Sequence, residues 1–431
     1  MSEFFTYEEG ELFAEKLAIA RIARTVGTPF YLYSAAALGA RYRRFCEAFA
    51  AERPLVAFAV KANSNLAVLS LFAELGAGAD VTSEGELARA LAAGMPPDRI
   101  LFSGVGKTKR ELAAALDAGI LQINVESAPE LEALSAIAEE RGEAAPVALR
   151  VNPDIDPRTH AKIATGGREH KFGIPWREAI SLYRRAVELP GIRPVGLAVH
   201  IGSQVVEIDP FRRAFERMAE LVKALRQDRL PIERVDLGGG IGIRYKDERP
   251  LDLEAYAALV REIFLRERLD FAFEPGRFLC GPAGLLVARV VYVKESGERR
   301  IIILDAAMND LMRPALYGAW HEMLPIRLSS LDAPPPPADV VGPVCETGDT
   351  FAEGRRLPPL AAGDLVAFTA AGAYGAVMSS TYNSRLLVPE VLVSGERFAV
   401  IRARRTYEEL LRLDAVPSWL SEAARQAATA S

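Results

Sequence analysis

Between residues 55 and 274, short apolar runs alternate with longer stretches whose apolar side chains recur every three or four positions. A short apolar run closed by polar or glycine punctuation predicts a buried strand, and three- and four-residue spacing predicts a helix lying over it. Eight such runs can be counted, at 55–60, 79–81, 100–102, 121–125, 147–151, 195–201, 234–237 and 271–274. Helical spacing fills the intervals, as at 83–93, 127–140 and 209–225. Eight strand–helix units over about 220 residues predict a closed parallel barrel.

The segment Thr28-Pro29-Phe30-Tyr31-Leu32-Tyr33-Ser34 precedes the barrel as a strand introduced by turn chemistry. After the barrel the texture changes. Strand-like runs at 285–292, 300–304, 340–345, 365–369 and 390–393 are separated by only short helical stretches, which predicts an antiparallel β domain that takes residues 30–34 as a further strand. The expected fold class is therefore α/β plus β: a (β/α)8 TIM barrel over residues 35–280, and a second, antiparallel β domain from residues 1–34 and 281–431. Residues 332–338, with four consecutive prolines, predict a stiff surface loop, and the Ala-rich tail at 422–431 has nothing to hold it.

A chain of 431 residues, half of them hydrophobic and a quarter charged, has ample material for a large core. Its 52 basic and 57 acidic residues leave a net charge of -5, so neither nucleic acid nor another polyanion is an expected partner. Cys46, Cys280 and Cys345 are far apart and odd in number, which excludes a disulfide framework and suits the cytoplasm. The N-terminus has neither a basic nor an apolar leader region, and no later stretch approaches the roughly 18 apolar residues of a membrane span.

Lys61 stands where the run Leu55-Val56-Ala57-Phe58-Ala59-Val60 gives way to Ala62-Asn63. Alone, it reads as a lysine that closes a strand and reaches for water. A Schiff-base lysine, however, must be held rigidly and partly desolvated, and an apolar strand does both. The working groups of a parallel barrel gather at the C-terminal ends of its strands. There the sequence also places Asp80, Arg150-Val151-Asn152, His200-Ile201-Gly202-Ser203-Gln204, Gly238-Gly239-Gly240-Ile241-Gly242 and Glu274-Pro275-Gly276-Arg277.

Glycine-rich loops after the seventh and eighth strands let backbone N–H groups approach a phosphate. One lysine and one phosphate site predict pyridoxal phosphate. Glu274 then supplies the carboxylate beside the pyridine nitrogen, and His200 lies against the ring. Each group has a plain alternative: a tight turn for 238–242, which lacks dinucleotide-binding spacing, an ion pair with Arg277 for Glu274, and a core histidine for His200. Their joint placement on one barrel face favours the cofactor. Gly104-Val105-Gly106-Lys107-Thr108 ends like a nucleotide-binding loop, but the first glycine of that motif would fall at Leu101, inside a strand. No histidine or cysteine spacing suits a metal.

Phe58-Ala59-Val60-Lys61-Ala62-Asn63, His200-Ile201-Gly202-Ser203-Gln204, Gly238-Gly239-Gly240, Glu274-Pro275-Gly276-Arg277, Cys345-Glu346 and Gly372-Ala373-Tyr374-Gly375 together resemble the diaminopimelate decarboxylase family, from about Gly27 to Tyr407. The resemblance implies an alanine-racemase-like fold, a homodimer with active sites shared across the subunit interface, and pyridoxal phosphate as cofactor. It implies decarboxylation of meso-2,6-diaminopimelate to L-lysine and CO2, the last step of lysine biosynthesis. It assigns Lys61 to the covalent link, Asp80, His200 and Gly239 to the cofactor, Glu274 to the pyridine nitrogen, and Ser203, Gly240, Gly276 and Arg277 to the phosphate. Tyr374 resembles a tyrosine that reaches phosphate and substrate together. Arg313 and Tyr317, with Arg277, resemble ligands of the substrate's distant carboxylate. Cys345 resembles the proton donor and Glu346 the partner of the distant ammonium, both supplied by the neighbouring subunit.

Chemistry supports these roles separately. The carbanion left by CO2 needs a proton from a group not far from neutral, and a thiol serves. Two arginines and a tyrosine around one carboxylate leave buried donors unpaired when the substrate lacks it, and such sites discriminate by about 10⁴ to 10⁵. A second reading keeps the fold and changes the substrate to another basic or carrier-bound amino acid, or the outcome to racemisation, for which only Cys345 offers a convincing acid. A third is a non-catalytic pyridoxal-phosphate-binding regulatory protein. In Thr165-Gly166-Gly167-Arg168-Glu169-His170-Lys171-Phe172-Gly173 the family more often has Asn where this chain has His170. This segment is expected to be a mobile lid, with His160 and His170 as solvated loop histidines.

Overall fold

Eight parallel strands close into a ring in the computed structural model, which describes residues 3–167, 169–264, 267–296, 299–328 and 336–420. They are Leu55–Ala59, Gly78–Val81, Ile100–Phe102, Gln122–Val125, Ala145–Asn152, Ile192–Val199, Arg234–Asp236 and Asp270–Phe273. The last returns to the first, with Ala272 opposite Leu55 and Phe273 opposite Val56, so the ring has no open edge. The first strand stops at Ala59, one residue before the apolar run ends, and Val60–Ala62 is a single 3₁₀ turn that carries Lys61.

Helices wrap the ring with buried apolar faces. Ala35–Ala48 starts at Ser34, whose hydroxyl accepts the Ala37 N–H, and buries Tyr42 and Phe45. An aromatic cluster of Phe45, Phe49, Tyr256 and Phe273 backs the eighth strand, with the Phe49 and Phe273 ring centres 4.5 Å apart. Truncating one such ring costs about 3–5 kcal/mol, so this packing fixes the strand that leads to Glu274. Inside the ring Ala57, Leu101 and Ala272 form a small apolar plug. The pleat then delivers polar groups from alternating positions to the same interior: Asp80, Gln122, Asn124, Asp236 and Glu274 are all buried.

The second domain is built on Gly284–Ser296, which pairs antiparallel with Phe30–Ser34, Arg299–Leu304 and Leu365–Phe368. Its sheet is mixed rather than antiparallel. Phe30–Ser34 runs parallel to Glu390–Ser394, and Arg299–Leu304 parallel to Ala338–Val341. Parallel neighbours need long connections, and these pairs are separated by most of the chain and by the 304–338 crossover, which run patterns do not reveal.

The strand expected at 340–345 spans Ala338–Val341 instead. Gly342 and Val344 donate their N–H groups to Asp349, so the chain turns before it reaches Cys345. The sequence reading also lacked the short strands Phe5–Glu8, Glu11–Ala14, Thr350–Arg355 and Arg397–Arg402. Residues 332–335 of the proline-rich loop and the whole tail at 422–431 lie outside the described residues. Among the described residues no helix is long and apolar enough to cross a membrane, and no cluster of His, Cys, Asp or Glu could hold a metal ion.

Candidate active site

The C-terminal ends of the barrel strands converge on a narrow cavity lined by Lys61, His200, Ser203, Gly240, Glu274, Gly276, Arg277 and Tyr374. Lys61 enters from its 3₁₀ turn with 35% of its side chain exposed, and its Nζ lies 2.7 Å from Oδ2 of the fully buried Asp80. Burial opposes the ammonium charge, but Asp80, Glu274 and Tyr374 outweigh it and raise the lysine's affinity for its proton.

His200 ends the sixth strand's outlet and faces the same cavity. Its Nδ1 accepts the Gly239 N–H at 3.1 Å, which places the ring proton on Nε2. Burial, then Arg150 and Lys61, push its pKa well below the ordinary range, so the ring is neutral. Gly239 itself does not line the cavity. A Cβ there would sit 2.2 Å from the Glu274 carbonyl, so Gly239 packs strand outlets together and orients His200.

Glu274 follows the eighth strand and is held from inside the barrel. Ser103 Oγ donates to its Oε1 at 3.1 Å and Asn124 Nδ2 at 3.2 Å; the same amide nitrogen reaches Asp236 Oδ2 at 3.1 Å. Gln122 orients Asn124 by donating to its Oδ1 at 2.7 Å. Burial, then the neighbouring Asp236 and Asp80, raise the Glu274 carboxyl well above its usual range, so it retains a proton where an exposed carboxyl would not.

Opposite Lys61 the backbone forms a cradle. Gly240 has φ +94°, and a Cβ on it would meet the Gly202 carbonyl at 2.2 Å, so only glycine fits. Gln204 staples the loop by donating to the Ile243 carbonyl and accepting its N–H. Arg277 is buried, and its Nε and Nη2 donate to Ser203 Oγ at 3.2 and 3.0 Å, while Nη1 donates to Tyr245 Oη at 2.5 Å. Tyr374 adopts φ +54° and places its ring under the Arg277 guanidinium, 4.7 Å away. Backbone strain of this kind persists where surrounding contacts hold it, here the Tyr374 N–H bonded to the Ala62 carbonyl.

Arg313 and Tyr317 begin and end the short helix Arg313–Tyr317 and lie one turn apart. The Arg313 guanidinium stacks 4.5 Å from the Tyr245 ring centre, so Tyr245 joins it to Arg277. Its Nη1 meets His321 Nε2 at 2.8 Å. Neither arginine forms an ion pair with a carboxylate among the described residues. Two buried guanidinium groups with only neutral partners make a site for anions.

The segment expected to be a lid is bonded to the sixth strand's outlet. Thr165 and Gly166 donate N–H groups to the Ile201 carbonyl, and Thr165 Oγ1 donates to that of His200. His160, just before this segment, is exposed and His170 within it is half-buried, and each also makes a specific contact. The His160 ring packs edge-on against Tyr317 with centres 5.8 Å apart, and His170 Nδ1 accepts the Gly167 N–H at 2.9 Å to close a turn. Lys107, of the rejected nucleotide-loop motif, pairs with Glu130 at 2.8 Å and caps backbone carbonyls.

Cys345 and Glu346 do not join the cavity containing Lys61. Cys345 is exposed and its N–H donates to Asn383 Oδ1 at 2.8 Å; Glu346 Oε1 accepts the Gly348 N–H. Sequence reasoning missed Tyr245, His321, Asn124 and Asp236. The last two stand near the ends of their strands on the inward phase and were open to the strand-end reading; the first two sit in irregular segments with no such signal.

Residues 35–281 match the family model "Pyridoxal-dependent decarboxylase, pyridoxal binding domain". The chain is 50% identical over 406 residues to diaminopimelate decarboxylase of Pseudomonas aeruginosa, covering 94% of this chain and 97% of that protein. It is 48% identical over 421 residues to diaminopimelate decarboxylase of Zymomonas mobilis, covering 96% and 99%. The crystal structure of diaminopimelate decarboxylase from Helicobacter pylori complexed with L-lysine superposes with a TM-score of 0.89 at 40% identity, covering 92% and 98%.

Proposed function

The chain belongs to the diaminopimelate decarboxylase family of pyridoxal-dependent decarboxylases, and we infer from that premise that it converts meso-diaminopimelate to L-lysine and CO2. The observation that carries the inference is that Lys61 and the buried Arg277 line one cavity, that Tyr245 joins Arg277 to the buried Arg313, and that neither arginine has a carboxylate partner among the described residues. Pyridoxal phosphate, when bound, supplies a carbonyl that takes up an amine and a ring that accepts the electrons released with CO2.

The residues present fit that group. Lys61 would hold it covalently, with Asp80 fixing the amine, and Ser203, Gly240, Gly276 and Arg277 would take the phosphate. His200, neutral, would lie against the ring, and Glu274 would hold a proton at the ring nitrogen. Arg313 and Tyr317 take the substrate's distant carboxylate, and Tyr374 spans the two regions. Loss of the carbon–carboxylate bond leaves an electron pair that is matched by one proton, delivered by the thiol of Cys345. Glu346 pairs with the distant ammonium.

Since Cys345 and Glu346 of one chain stand apart from its own Lys61 cavity, they act in the cavity of a second copy, which makes the working form a homodimer. Residues 35–280 act as the cofactor domain, and 1–34 with 281–431 supply the substrate end. Three unpaired cysteines suit the cytoplasm as its compartment. A substrate panel tests the reading: with bound pyridoxal phosphate, meso-diaminopimelate should release CO2 and L-lysine in equal amounts, while ornithine and arginine, without the second carboxylate, should be poorer by about 10⁴. No CO2 from diaminopimelate would overturn it.

A further inference from the structure

Arg313 has an unusual set of partners for a buried guanidinium. Only 5% of the residue is exposed, its Nε has no hydrogen-bond partner among the described residues, and its Nη1 ends on a histidine ring rather than a carboxylate. A guanidinium can only donate, so the ring nitrogen at 2.8 Å, Nε2 of His321, must accept. The other nitrogen, Nδ1, lies 2.8 Å from the Thr369 carbonyl, which can only accept. These two contacts settle the tautomer: the proton is on Nδ1. His321 is itself buried, and burial followed by Arg313 pushes its pKa down to about 3, so the ring stays neutral at any working pH.

The ring is locked from the sides as well. It packs edge-on against Tyr245 with centres 5.3 Å apart, and Tyr245 is the residue that joins Arg313 to Arg277. Arg355 donates from Nη1 to the His321 carbonyl at 2.5 Å and stacks on Trp320.

We propose that His321 is a positioning residue for the substrate's distant carboxylate: with Nε2 accepting from Arg313 and Nδ1 donating to Thr369, it aims the guanidinium without neutralising it. An aspartate or glutamate at this position would hold Arg313 equally well but would compete with the substrate for its charge. A neutral acceptor fixes one nitrogen of the fork and leaves the rest of the charge for an incoming carboxylate. The inference rests on the reading that Arg313 binds that carboxylate, and its test separates the two.

The test measures L-lysine affinity for the holoenzyme by calorimetry, KM and kcat for meso-diaminopimelate, and the affinity and absorption of pyridoxal phosphate. His321→Phe removes both ring contacts and should weaken lysine binding and raise KM by about tenfold or more, with kcat changed much less and the cofactor's affinity and absorption unaltered. His321→Gln keeps an acceptor and a donor and should stay within about threefold of the parent. In an Arg313→Ala background, where lysine binding is already weakened, His321→Phe should have no further effect.

If His321→Phe does not yield folded holoenzyme, His321→Asn, too short to reach both partners, should show the same loss. Unchanged lysine affinity in the His321 variants, with Arg313→Ala weakened, overturns the role of His321 alone. Unchanged affinity in Arg313→Ala overturns the carboxylate clamp and this inference with it. An undiminished His321 effect in the Arg313→Ala background marks a merely structural role and also overturns it.

Discussion

Nζ of Lys61 lies 2.7 Å from Oδ2 of Asp80, so the amine proposed as the nucleophile of the site is held as an ammonium by a carboxylate that no solvent reaches. The contact fixes the amine in space. It also delays its chemistry, because an amine attacks a carbonyl only after losing its proton. Asp80 raises the lysine's pKa, and its removal should lower it. Asp80→Asn is therefore expected to move the midpoint of pyridoxal-phosphate uptake rate toward lower pH, followed by the growth of cofactor absorption. An unshifted midpoint would mean that Asp80 does not control the amine.

In the proposed reading Glu274 would hold a proton at the cofactor ring, and Gln at that position has neither an acidic proton nor a charge to offer. Glu274→Gln should lower decarboxylation by about 10²-fold while the protein still binds pyridoxal phosphate. The comparison of turnover with bound cofactor checks both halves.

At Gly240 a methyl group meets the Gly202 carbonyl at 2.2 Å on a backbone with φ +94°. Gly240→Ala should lose about 2 kcal/mol or more of stability, read from the urea midpoint, and should bind the cofactor more weakly. A variant as stable as the parent would show that the loop relaxes freely.

Ser203 Oγ accepts from two nitrogens of Arg277 and fixes its head. Ser203→Ala should weaken pyridoxal-phosphate affinity by about tenfold, measured by equilibrium titration, without abolishing turnover at saturating cofactor.

Much of this site was readable in the chain. Lys61, Asp80, His200 and Glu274 sit at or just beyond the ends of apolar runs, and a closed barrel turns such positions toward one mouth, so counting eight runs brings them together. The network behind Glu274 obeys the same alternation: Asn124 and Asp236 lie on the inward phase of their strands, but a polar residue within an apolar run gives no sign of what it faces. Tyr245 and His321 were not readable. They meet Arg277 and Arg313 only because segments 76 residues apart in sequence are folded against each other. The mixed pairing of the second domain depends likewise on where long connections return, and the turn at Gly342 depends on the Asp349 side chain rather than on a local apolar pattern.

Cys345 is the residue whose position decides the most. In a single chain it stands exposed, outside the cavity of Lys61, although the chemistry proposed for it requires a proton delivered there. The most direct test mixes two inactive variants, Lys61→Ala and Cys345→Ala, under conditions that exchange subunits. A shared site predicts that activity reappears, up to about a quarter of the parent's, because half of the randomly mixed dimers hold one intact site of two. No recovery despite verified exchange would contradict a site completed by a second copy.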